Sequence, residues 1–140
     1  MAKFNNDADI KKLEGYWSNL EDLKRELRYR EWELLNPHQE TDSNIGGGKA
    51  NRVSDTTGNR AVLLADDRTY QNLKNIISTI EGLYPELDDD QKVIVQMRYW
   101  DKKECYEWQH IADKLYMSVQ RVLRKRNNII DETAKRMGWI

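Results

Sequence analysis

Apolar residues return every three or four positions from about Asp9 to Leu35, at Ile10, Leu13, Trp17, Leu20, Leu23 and Leu27, and again two turns on at Leu34, with polar residues between them. That period places them on one side of a helix and predicts an amphipathic segment. The stripe is close to a heptad. Lys24 and Glu31, however, fall where the seam needs apolar residues, so a long regular coiled coil does not follow. The helix either packs on the rest of its own chain or pairs with a second copy as a homodimer, with Trp17 and Leu20 as the contacts to test. Asn36-Pro37 ends it, because proline lacks the amide donor and pushes the preceding residue out of the helical region.

The pattern then changes character. Residues 37–59 contain NIGGGKANRVSDTTGN, with Ile45 and Val53 as the large aliphatic residues, and read as an irregular connection. Gly46-Gly47-Gly48-Lys49 is not a phosphate loop: the required glycine spacing is absent, Ala50 follows the lysine, and no buried strand precedes it. Helical spacing returns over about Asn59 to Leu83, at Val62, Ala65, Thr69, Leu73, Ile76, Ile77, Ile80 and Leu83, and Gly82 and Pro85 stop it. Asp88 with Gln91 three residues later forms a variant capping box, and Asp89 and Asp90 suit the positive end of a helix dipole. The helix so capped, to about Trp100, offers Val93, Ile94, Met97 and Trp100 as its core face.

After a polar link at Asp101 to Cys105, a short helix is expected from Trp108 to Leu115 and a tight connection at Tyr116 and Met117. Ser118, a preferred N-cap type, then opens a second helix that runs to Met137, with Gly138 as its C-cap. Ile111, Leu115, Met117 and Val122 can share one apolar contact while Gln120, Arg121, Arg124 and Lys125 face away. The expected fold is all-α: an N-terminal amphipathic helix over 1–36, a long polar Gly-rich loop over 37–60, a middle helix over 61–86 and a three-helix region over 87–140.

Composition sharpens this picture locally. Across 140 residues the net charge is only -1 although 34% are charged, so no nucleic-acid signature exists at the level of the whole chain. From Lys114 to Arg126, by contrast, stand Lys114, Arg121, Arg124, Lys125 and Arg126 with no acid. Cys105 is the single cysteine, which excludes an internal disulfide and leaves a metal without a partner thiol. No cofactor and no metal are expected. His38 and His110 have no visibly activated serine or cysteine beside them, and catalysis is not expected. The tryptophans read as packing anchors. The first residues, MAKFNNDADIKKLEG, lack the apolar core of a signal peptide, and no stretch approaches a membrane span, so a cytoplasmic protein is expected.

The basic second helix, preceded by a short helix and a tight turn, has the form by which a helix-turn-helix presents a reading helix to double-stranded DNA. Arg121 and Arg124 suit bidentate donation to guanine, and Gln120 and Asn128 can pair with adenine. Lys102, Lys103, Lys114 and Lys125 are candidates for phosphates, whose contacts weaken with salt. Against the usual template two positions disagree. Tyr116 stands where glycine is usual, which suggests a different turn geometry, and Lys125 stands where a buried aliphatic residue is usual.

Asp90-Gln-Lys-Val-Ile-Val-Gln-Met-Arg-Tyr-Trp, followed by Asp-Lys-Lys-Glu and the two-helix pattern, resembles region 4 of bacterial sigma factors. More closely, it resembles the phage-encoded late-gene activators of the RinA and ArpU type, over about Leu87 to Met137. Thr41-Asp-Ser-Asn-Ile-Gly-Gly-Gly, between the first and middle helices, echoes the same regulators. The resemblance implies a transcription activator of a phage or prophage, acting at a promoter in the bacterial host and contacting RNA polymerase, with Ser118, Gln120, Arg121, Arg124 and Lys125 at reading-helix positions. The alternative is the small terminase subunit of a phage packaging machine, which also joins a helix-turn-helix to oligomerising helices and would assemble as a ring.

Overall fold

The computed structural model describes residues 7–37 and 57–140, and within them every regular element is helical, with no strand. Seven α-helices follow in order: α1 (Asp7–Ser18), α2 (Leu20–Leu35), α3 (Thr57–Asp66), α4 (Arg68–Leu83), α5 (Asp89–Ile94), α6 (Trp108–Leu115) and α7 (Val119–Arg136). A 3₁₀ turn at Tyr84–Glu86, with Pro85 inside it, follows α4, and a π-helical turn at Val95–Trp100 extends α5. His38 and the Gly46–Gly48 run lie outside the described residues.

Two of the expected helices are divided. The first is interrupted at Asn19, although Asn19 still donates to the Gly15 carbonyl (2.8 Å) and Leu23 to the Asn19 carbonyl (2.9 Å). Gly15, Ser18 and Asn19 are weak helix formers, and glycine and serine are where helices bend. The middle helix starts earlier than expected, at Thr57, and breaks at Asp67. There the carboxylate accepts from the Tyr70 amide at 2.7 Å and so caps a new helix.

By compactness the chain forms two units, residues 1–23 with 75–140 and residues 24–74. In the larger unit α1 packs on the π-turn and on α7, while α5 packs on α6 and α7. Its interior is built from Leu13, Trp17 and Leu20 at one end of the chain and Ile80, Ile94, Val95, Ile111, Val122, Ile129, Ile130 and Ala134 from the other. Of the two readings of the N-terminal stripe, Trp17 and Leu20 follow packing on the rest of their own chain, where both are buried. The π-turn also corrects the core face of its helix. Ile94 is buried as expected, together with Val95, and across the wider turn Tyr99, five residues after Ile94, takes the next buried place, while Val93, Met97 and Trp100 are only half-buried.

The smaller unit contains the rest of α2, α3 and the start of α4. Arg30 holds Asp67 through two bonds, Nε to Oδ2 at 3.0 Å and Nη2 to Oδ1 at 2.6 Å. The Arg30 hydrogen bond, then the Tyr70 amide, keeps the Asp67 carboxyl below its ordinary pKa.

Candidate nucleic-acid interface

Helices α6 and α7 are joined by a turn whose geometry follows from one residue. Tyr116 sits in the left-handed region, at φ 56 and ψ 46, and the Met117 amide reaches back to the Ala112 carbonyl at 3.1 Å. This is the closure that a glycine after a helix normally provides. The expectation of a different turn geometry is therefore corrected: tyrosine adopts the glycine conformation. Its side chain, 95% exposed, meets little resistance from its surroundings, so only the local cost of a left-handed L-residue remains.

Ser118 then opens α7 as expected, its hydroxyl accepting from the Arg121 amide at 3.1 Å, and Asp88 opens α5 with both halves of the capping box in place. At the far end the Gly138 φ of 81 and the bond from the Trp139 amide to the Ala134 carbonyl (2.8 Å) close α7, again as expected. Val122, Ile129, Ile130, Thr133 and Ala134 turn inward. Gln120, Arg121, Arg124 and Asn128 turn outward and are exposed. At four-residue spacing Gln120, Arg124 and Asn128 stack along one line of the helix with Arg121 beside it. None of these four side chains has a hydrogen-bond or ionic partner among the described residues.

The remaining basic positions separate into two groups. Lys114 on α6 and Lys103 in the link are exposed, without an ionic partner among the described residues. Lys125 and Lys102, both expected to meet phosphates, are engaged internally. Lys125 is 20% exposed and pairs with Asp88 at 3.2 Å and Asp90 at 3.9 Å, which ties α7 to the start of α5. The aliphatic part of a lysine can cover apolar surface while its ammonium reaches the carboxylates, which is how it stands where an aliphatic residue is usual. Lys102 donates to the Ser18 carbonyl at the end of α1, where a cation is favoured.

One cluster was not legible in the sequence. Glu14 of α1 accepts from Tyr99 Oη at 2.5 Å and from Arg126 Nη1 at 2.9 Å. The Arg126 guanidinium also lies 5.2 Å from the centre of the Trp108 ring, and that of Arg98 lies 4.7 Å from it. Arg98 in turn donates to the Tyr106 carbonyl at 3.0 Å. Burial, reinforced by the charge of Glu14, holds the Tyr99 phenol well above its ordinary pKa, so it remains a donor. The basic run of α7 thus divides by function: Arg121 and Arg124 point out, while Lys125 and Arg126 hold the helix to α5, α6 and α1.

His110 packs edge-on to Tyr106 with centroids 6.2 Å apart, and the Cys105 thiol lies 3.7 Å from the Arg98 carbonyl. Among the described residues no group of three or more His, Cys, Asp or Glu could hold a metal ion, and no helix is long and apolar enough to cross a membrane.

These features define an all-α protein whose last helix, set by a left-handed turn and a serine cap, carries an outward line of polar and basic side chains. Over residues 7–135 the chain matches the model of the family described as "Protein of unknown function (DUF722)", and it belongs to that family. No curated protein and no solved structure matches it.

Proposed function

We propose that this protein is a sequence-specific, double-stranded-DNA-binding transcription regulator, with α6 and α7 as its helix-turn-helix and the outward face of α7 as the reading surface. The observation that carries this reading is the contrast along α7. Lys125 and Arg126 are taken up by carboxylates of the same chain, whereas Arg121 and Arg124, in its first two turns, have no carboxylate partner among the described residues. Side chains near the start of such a helix are the ones that reach base edges, and arginine there has the donor geometry for guanine. Gln120 and Asn128 add amide groups able to read adenine. Lys103 and Lys114 supply phosphate contacts, and Ser118 fixes where the helix begins.

The likeness to sigma region 4 and to the RinA and ArpU regulators gives the reading its biological form. It supports a phage or prophage late-gene activator, working in the cytoplasm of the bacterial host and contacting RNA polymerase. The test is selection of bound sites from random DNA, followed by Arg121→Ala together with Arg124→Ala. Loss of preference for the selected site, with native circular dichroism, is the expected result. Unchanged preference in a folded double variant overturns the assignment of α7 as the reading helix.

A further inference from the structure

The unit of residues 24–74 leaves apolar side chains in water. Among the described residues six large hydrophobic side chains are strongly exposed, and four of them, Tyr29, Trp32, Val62 and Leu63, belong to this unit. Tyr29 and Trp32, 61% and 58% exposed, stack on one another with ring centroids 6.3 Å apart and planes 21° apart. Helix α3 is only 10 residues long, below the length at which a helix persists in water by itself, and Ala61, Val62, Leu63 and Ala65 on it are all exposed. Tyrosine and tryptophan held in a rigid pair are the usual anchors of protein interfaces.

The charges beside the aromatic pair indicate what covers it. Along this part of α2 the basic residues Lys24, Arg25, Arg28 and Arg30 outnumber the acids up to Arg30, and the acidic residues Glu31 and Glu33 follow. Two copies of the helix laid antiparallel across Tyr29 and Trp32 set Arg28 against Glu33 and Arg30 against Glu31 of the other, while Arg30 keeps its bonds to Asp67 and Glu33 of its own chain. In that register Trp32 meets the Tyr29 ring of the second copy and Arg28 faces its Glu33, and the two-fold axis repeats both contacts. A parallel pairing would set like charges together.

We propose that the exposed face of α2, centred on Tyr29 and Trp32, is a homodimerisation surface whose occupant is the same face of a second copy, in antiparallel register. At about 150–250 Å² for a whole aromatic side chain, the pair opens on the order of 250 Å² per copy. That is the core of a small interface rather than of an obligate one, so the dimer dissociates on dilution. The proposal does not depend on DNA binding. It places self-association on Tyr29 and Trp32 of α2 and not on Trp17 and Leu20, which are buried.

Sedimentation velocity of the full chain over a range of concentrations tests it. The protein should approach dimer mass as concentration rises, and Trp32→Lys should remain monomeric with unchanged circular dichroism. Arg28→Glu and Glu33→Arg should each be monomeric alone, through repulsion across the axis, and should form a dimer when mixed. Should Trp32→Lys misfold, the mixing experiment stands by itself. A protein that is monomeric at every concentration, a dimer or ring indifferent to Trp32→Lys in folded form, or charge variants that fail to complement would each overturn the proposal. A monomer that still selects DNA sites overturns this surface alone, and a dimer with no site preference overturns the DNA reading alone.

Discussion

Thr133 is the point at which the N-terminal helix is tied to the proposed reading helix, and it can be emptied of its chemistry almost without changing its shape. Its hydroxyl is fully buried, donates to the Ile129 carbonyl at 2.7 Å and accepts from the Trp17 indole at 3.0 Å. Thr133→Val keeps the branched outline and leaves the Trp17 N–H, in a side chain of 0% exposure, with no acceptor. An orphaned buried donor costs about 1–3 kcal/mol. The Ile129 carbonyl keeps its helical backbone partner, so little is added there, and the new methyl group returns part of the loss. A net cost of about 1–2 kcal/mol is expected, or a fall in melting temperature of roughly 3–8 °C for a chain of this size. Urea unfolding followed by far-UV circular dichroism measures it. Trp17→Phe provides the control, since it removes the donor itself and opens a cavity of its own. In that background Thr133→Val should cost less than about 0.5 kcal/mol, because no N–H is left to strand. An equal cost in both backgrounds would refute the link between Trp17 and Thr133, and with it the placement of α1 against α7.

Other consequences are checked more simply. Lys114→Ala should lower the slope of log affinity for DNA against log salt by about one, whereas Lys125→Ala, engaged with Asp88 and Asp90, should reduce stability by up to about 1 kcal/mol and leave the slope nearly intact. Equal slope losses would place Lys125 at the DNA. Tyr116→Gly relieves a left-handed L-residue and should raise stability by about 0.5–1 kcal/mol in thermal unfolding, a destabilised variant being the contrary result. Stability should fall at both extremes of pH. The Glu86 carboxyl is lowered by Arg136; for Asp88 partial burial works upward but is outweighed by the Gln91 amide and Lys125. A depressed carboxyl contributes stability above its ordinary pKa of 4.5 or 3.8, and loses it as pH falls through the folded value. Tyr99 has the opposite sign: its raised phenol contributes below the ordinary value of 10.0, and that contribution is lost as pH rises beyond it. Tyr99→Phe should blunt the alkaline fall, and an undiminished fall in that variant would remove Tyr99 as its cause.

The helices were legible where periodicity and caps agree. Asp88 with Gln91, Ser118 and Gly138 are local signals read over three or four residues, and the structure uses each one as the sequence announces it. The misread places arise from interactions that local periodicity does not carry. Asp67 reads as one polar residue in a helical run, and the Arg30 guanidinium that shares its carboxylate lies 37 residues away. The π-turn brings Tyr99, five residues after Ile94, onto the core face without a proline or glycine to mark it. Tyr116, standing where glycine is usual, suggests a different turn geometry, yet it takes the left-handed conformation of the turn that the Met117 amide and the Ala112 carbonyl close.

The least local of these features does most to define the candidate site. Sequence spacing allows α7 to be rotated by one position, because Arg121, Arg124, Lys125 and Arg126 are equally basic and differ only in register. Contacts from three directions remove that freedom. Glu14 and Trp108 hold Arg126, Asp88 and Asp90 hold Lys125, and Trp17 holds Thr133 about two turns further on. With those side chains fixed inward, the line through Gln120, Arg124 and Asn128, with Arg121 beside it, must face out. The first helix therefore contributes to any reading surface without touching it. Loosening α1 at Trp17 or Glu14 should blur site preference in proportion to the stability lost, whereas changes at Arg121 or Arg124 should alter preference with no loss of stability.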